Sequence, residues 1–176
     1  MRVALIIALG LLAGPAAAQT AREAAEANIG VAMQLCVTNY LTPERMLPAF
    51  HAAGFDYRPE DWGGGEVHHW FAVPGGDVSA MVSPEERFCA ISSQTIGVGE
   101  ALPLARAALG RLFTGQIAEG TPEGRNIRPS DPEGRNAECS GYHFLAPQRL
   151  IAVSVGNAGN DPLCVEDGTS QIILRM

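Results

Sequence analysis

The chain has 176 residues, with 12 arginines, no lysine, 19 acidic residues and a formal charge of −7 at neutral pH. That balance disfavours nucleic acid and anionic membranes as partners, because both are bound by clustered basic side chains. The lack of lysine also excludes Ser-x-x-Lys chemistry.

Residues 1–18 have the layout of a secretory signal peptide. Arg2 supplies the positive end, Val3 to Ala13 form the apolar run, and Ala16-Ala17-Ala18 before Gln19 fits the small-x-small cleavage rule. The run is shorter than the roughly 20 apolar residues that cross a bilayer. Cleavage would leave 176 − 18 = 158 residues, with 11 arginines against 19 acids, a formal −8. One globular domain over 19–176 is therefore expected in a periplasmic or secreted location, with no further membrane span.

Thr20 to about Leu41 reads as a helix, since Ala25, Ile29, Ala32, Met33, Cys36, Val37 and Tyr40 recur at three- and four-residue spacing. Thr42-Pro43 looks like a second helix start, with Gly54 as its stop and Pro48 as a kink. Phe55 to Gly65 carries proline, glycines and charges and reads as a loop. Glu66 to Val73, Val78 to Val82 and Arg87 to Ile96 read as three strands separated by Pro74-Gly75-Gly76-Asp77 and Ser83-Pro84-Glu85-Glu86.

Gly97-Val98-Gly99-Glu100 then turns into a helix from Ala101 to Phe113, with Leu102, Ala105, Leu109, Leu112 and Phe113 as the buried stripe and Pro103 in the first turn. Gly115 to Glu138 reads as irregular. It contains a direct repeat, Pro122-Glu123-Gly124-Arg125-Asn126 followed by Pro132-Glu133-Gly134-Arg135-Asn136. Two polar copies are too few for a solenoid. Glu138 to Leu145, Arg149 to Val155 and Ser170 to Leu174 are the last strands. The order helix-helix-βββ-helix-βββ predicts an α+β fold, a mainly antiparallel sheet with helices packed on one face.

Four cysteines, Cys36, Cys89, Cys139 and Cys164, suggest two disulfides in an exported chain. Three pairings are allowed. Cys36–Cys89 and Cys139–Cys164 are the expected ones, because each joins neighbouring elements in this reading. The spacings contain no C-x-x-C pair, so no zinc-cysteine site is expected.

Gly97-Val98-Gly99 begins like a dinucleotide fingerprint, but Leu102 stands where the third glycine belongs and Glu100 would face the phosphates. No cofactor is expected. His68-His69-Trp70 is the most suggestive polar cluster, yet alternation along a strand sends the two histidines to opposite faces. A metal there would need His51, His143 or acids brought close, and none is assigned. There is no G-x-S-x-G and no H-E-x-x-H, so no catalytic residue is assigned. Ser92 and Ser93 lie in the central strand, where one is expected to face inward and bond backbone.

Trp62, His68, His69 and Trp70 are the expected binding residues, on a segment that also carries Tyr57 and the acids Asp56, Glu60, Asp61 and Glu66. The expected function is that of an exported, disulfide-braced, non-enzymatic domain binding a protein or small ligand. A small hydrolase with its site near residues 55–70 is the main alternative, and a structural envelope protein is a third. Convergence of two polar side chains in one pocket separates enzyme from binding module.

Overall fold

The computed structural model describes residues 15–115, 117–120, 122, 123, 126, 127, 140–159 and 166–176. Helix α1 spans Pro15–Thr38, so it begins inside the predicted leader. A 3₁₀ turn, Pro43–Arg45, leads into α2, Met46–Ala52. Four strands follow: β1 Asp56–Gly63, β2 Glu66–Ala72, β3 Ser79–Ser83 and β4 Phe88–Ser93. Helix α3, Val98–Leu112, precedes three two-residue strands, β5 Ala118–Glu119, β6 Pro122–Glu123 and β7 Asn126–Ile127. The last strands are β8 Ser140–Ala146, β9 Arg149–Gly156 and β10 Ser170–Arg175.

Eight strands form one antiparallel sheet in the order β1-β2-β3-β4-β10-β9-β8-β5, with β6 and β7 paired separately. The fold is α+β, as the pattern of elements predicts. The register aligns Phe71, Ala80, Ile91, Ile172 and Val155 in one row across the sheet. These five are buried, as are Val82, Cys89, Leu174 and Val153 in the next row. Both rows lie on one face and pack against the helices, in a core that includes Ile29, Met33, Val37, Phe50 and Leu109.

The apolar stripe of α1 is the one its spacing predicts: Ala25, Ile29, Ala32, Met33, Cys36 and Val37 are all buried. The helix stops at Thr38, short of Leu41, where polar side chains take over its last carbonyls. Thr38 Oγ1 donates to Gln34 O at 2.7 Å and Asn39 Nδ2 donates to Leu35 O at 2.7 Å. Tyr40 lies beyond the helix and donates its hydroxyl to Pro147 O at 3.1 Å. The Cys36–Cys89 disulfide joins α1 to β4 across a Cα separation of 6.2 Å, matching the expected pair. The expected Cys139–Cys164 bridge and the second copy of the repeat lie outside the described residues.

Two segments differ from their sequence reading. Phe55 to Gly65 is not a loop: β1 occupies most of it as an edge strand, paired with β2 from Asp56↔Ala72 to Gly63↔Glu66. Seven of its eight residues are exposed, so no alternation of apolar residues marks it, and Pro59 is tolerated because an edge strand has one unpaired side. Gly64 and Gly65, at φ 68° and 89°, make the tight turn to β2, with both residues in the left-handed region that such hairpins require. Similarly, Gly115 to Glu138 is not wholly irregular, since β5 pairs with β8 at the far edge. Two residues are too short a run to show a period.

Helix α3 begins at Val98, three residues earlier than expected, which places Pro103 inside the helix rather than in its first turn. The buried seam is Ala101, Ala105, Ala108 and Leu109, while Leu102, Leu112 and Phe113 are half-buried against the core. Small residues on this seam, and Ala25 and Ala32 on α1, let the two helices approach closely. Arg22 pairs with Glu100 and donates to Thr95 O at 3.3 Å, linking the start of α1 to the start of α3. Tyr142 on β8 donates to Leu102 O at 3.4 Å. Burial, and then nearby Glu119, push its phenol above the ordinary range, with Arg106 opposing them. Strand β4 ends at Ser93 rather than Ile96, because Ser93 Oγ turns back to accept from Thr95 N and Ile96 N at 3.2 and 3.0 Å. That is the inward-facing serine expected of this strand.

Candidate functional site

The β1–β2 hairpin places the four expected binding residues in three different surroundings. Alternation along β2 puts His69 and Phe71 on the helix-covered face and His68 and Trp70 on the other. His69 meets Tyr57, which in turn contacts α2. Its Nδ1 lies 2.9 Å from Tyr57 Oη, and the Tyr57 ring also contacts His51 at 5.0 Å and Phe71 at 5.2 Å between centroids. Phe50 stacks on Phe71 at 4.8 Å, anchoring this cluster to the core.

His68 and Trp62 meet at the turn end of the hairpin. The register of β1 shifts between Asp61 and Gly63, and Trp62 sits at that irregularity. Its ring stacks on the His68 imidazole with centroids 4.3 Å apart and planes at 26°. The indole is 60% exposed and the histidine beneath it only 5%, so Trp62 covers His68 while offering its outer surface to solvent. His68 Nε2 lies 2.8 Å from Glu66 Oε1.

Trp70 belongs to a third place, the opposite end of the hairpin. There a cavity of about 470 Å³ is walled by Asp56, Tyr57 and Arg58 of β1, Trp70, Phe71 and Ala72 of β2, and Ser79 of β3. The lining residues include three aromatics, one acid, one arginine and one serine. Of the four acids near the glycine turn, Asp56 lines the cavity. Asp61 Oδ1 accepts from Gly63 N at 2.8 Å, Glu60 lies 4.0 Å from Arg58, and Glu66 faces His68.

Arg58 and Ser79 had no distinguishing signal in the sequence. Arg58 lies in a strand without alternation, and Ser79 reaches the site only through the β2–β3 pairing Ala72↔Ser79. The Gly97-Val98-Gly99 turn is closed to phosphates, because Gly99 N already donates to the Glu166 carboxylate at 2.8 Å. No helix among the described residues is long and apolar enough to cross a membrane. No family model, no curated protein and no solved structure matches the chain.

Proposed function

We propose that this chain is an exported, non-enzymatic binding domain, braced by Cys36–Cys89, which takes a small ligand, free or displayed by a protein partner, into the cavity at the open end of the β1–β2 hairpin. The observation that carries this reading is the cavity wall. A lining that includes Tyr57 and Trp70 suits an apolar body, and Asp56 and Arg58 beside them suit a ligand bearing charged groups. Its volume falls in the range of pockets that hold small organic molecules. The two imidazole pairs, Glu66–His68 and Tyr57–His69, share only Tyr57 with this wall, so the cavity brings together no histidine with an acid or nucleophile. That favours binding over hydrolysis. Export is supported by the leader-like residues 1–18 and by a disulfide, which persists in oxidising compartments.

The test is protein-observed NMR of the oxidised chain against a set of small aromatic acids and amines. Binding is expected to shift the signals of Tyr57, Arg58, Trp70 and Ser79 together, and Trp70→Ala is expected to abolish the response. Ligands that shift other regions and leave these four still would refute the cavity as the site. Expression of the full chain in a bacterial host checks export separately. A product beginning at Gln19 in the exported fraction is expected, and an uncleaved chain held in the cytosol would overturn it.

A further inference from the structure

We propose that Glu66, His68 and Glu86 form a binding site for a divalent transition metal of the zinc type. Two hairpin turns lie side by side at one end of the sheet, the Gly64–Gly65 turn before β2 and the turn between β3 and β4. They bring one ligand atom from each of these three residues within 4.8 Å of the others. His68 Nε2 and Glu66 Oε1 are already 2.8 Å apart. Donor atoms around a cation with bonds of about 2.0–2.2 Å sit at this kind of separation.

The charge of the cluster and the imidazole within it both favour a cation here. Two carboxylates share the cluster, and among the described residues no arginine pairs with either of them. The imidazole between them is more than nine-tenths buried, and its Nδ1 has no hydrogen-bond partner. Ser83 Oγ is buried without a partner as well. Ser83 follows Val82, which pairs with His69, so it sits across from His68 on the same face of the sheet. Nε2, the nitrogen that faces Glu66, is the one placed to take the metal, while Nδ1 and Ser83 Oγ are buried polar atoms that a water beside the site would satisfy.

The chemistry of the donors selects the metal. One imidazole with two carboxylates suits zinc and its neighbours better than magnesium or calcium, which prefer all-oxygen shells. Three protein ligands leave a fourth position open, and Glu66 and Glu86 are both exposed to solvent. Trp62 stacks on one face of the imidazole and leaves its in-plane nitrogens clear. This site is separate from the cavity at the far end of the hairpin and does not depend on the function proposed for it.

The experiment is calorimetric titration of the chelator-stripped full chain with zinc chloride at neutral pH. One zinc per chain is expected, with affinity falling at least about tenfold in Glu86→Gln and in Glu66→Gln. Glu85→Gln, the exposed neighbouring acid, is the control and should leave affinity unchanged. Copper(II) should quench the emission of Trp62 in the wild type, and less so in Glu86→Gln at equal metal. Glu86 is exposed, so its substitution tests the site without disturbing the core. Lack of binding at millimolar zinc would overturn the proposal, as would binding that both glutamine variants leave intact.

Discussion

Glu166 Oε2 accepts a hydrogen bond from Gly99 N at 2.8 Å, so the first turn of α3 is capped by a residue 67 positions further along the chain. The carboxylate meets the positive end of the helix dipole, where an acid is stabilising. A glycine precedes the helix for a steric reason. A Cβ built on Gly97 would fall against the same Glu166 carboxylate, although the backbone there, at φ −74°, is open to any residue. Gly97→Ala should therefore cost about 1 kcal/mol through displacement of Glu166, as should Glu166→Ala, and the two together should cost little more than either alone. Urea unfolding of the three variants checks this. Simple additivity would show that the cap does not act through Gly97.

The Cys36–Cys89 bridge spans 53 residues and ties the apolar face of α1 to β4. Cross-linking a loop of that length stabilises by about 4 kcal/mol in the chain-entropy description. Replacing both cysteines by alanine is expected to lower unfolding stability by an amount of that order, measured by denaturant titration. Both sulfurs are fully buried, so mild reductant should leave the bridge intact in the folded protein and open it once the chain unfolds.

Asp77 holds the β2–β3 turn to the end of β4. Its carboxylate accepts from Ser93 Oγ, from Gln94 N at 2.8 Å and from Thr95 Oγ1 at 2.9 Å. Asp77→Ala removes all three and leaves the buried Ser93 hydroxyl to find another acceptor. A loss of about 2 kcal/mol is expected. Hydrogen exchange should also rise at Gln94 before the core strands respond, because the damage is local.

Asp167 titrates below the ordinary carboxylate range. The chief cause is its side-chain hydrogen bond from Thr169 Oγ1 at 2.7 Å, followed by the bond from Thr169 N at 2.8 Å. A lowered folded-state value means that the contribution of this group is present above the unfolded-state value. It is lost as pH falls through the lowered one. Thr169→Ala should move the Asp167 midpoint part of the way back up, since the backbone donor remains. Carboxyl-detected NMR titration reads this directly, and an unchanged midpoint would show that the hydroxyl is not the cause.

Local periodicity made much of the fold legible. The α1 stripe from Ala25 to Val37, the two hairpins around Pro74 to Asp77 and Ser83 to Glu86, and the facing of Cys36 on Cys89 all follow from spacing and turn residues. What spacing could not show depended on distant partners. Strand β1 exists because β2 pairs with it, and its exposed residues carry no pattern of their own. The start of α3 is capped both by Glu100, three residues on from Gly97, and by Glu166, which no window around Gly97 contains. The candidate site was legible as a segment but not as a geometry. Trp62, His68, His69 and Trp70 are near in sequence, yet alternation and the irregularity at Trp62 distribute them over three places. Glu86 and Ser79 join those places only through strand pairing, which depends on residues outside the segment.

The last strand in chain order is also the seam of the sheet. Strand β10 lies between β4 and β9, so among the described strands it joins the β1–β4 meander to the β8–β9 hairpin. Its pairing with β4 brings together residues such as Ile172 and Ile91, which are far apart along the chain. Non-local closure of this kind is slow compared with forming the local hairpins. The sheet is therefore complete only once residues 170–175 have paired on both sides.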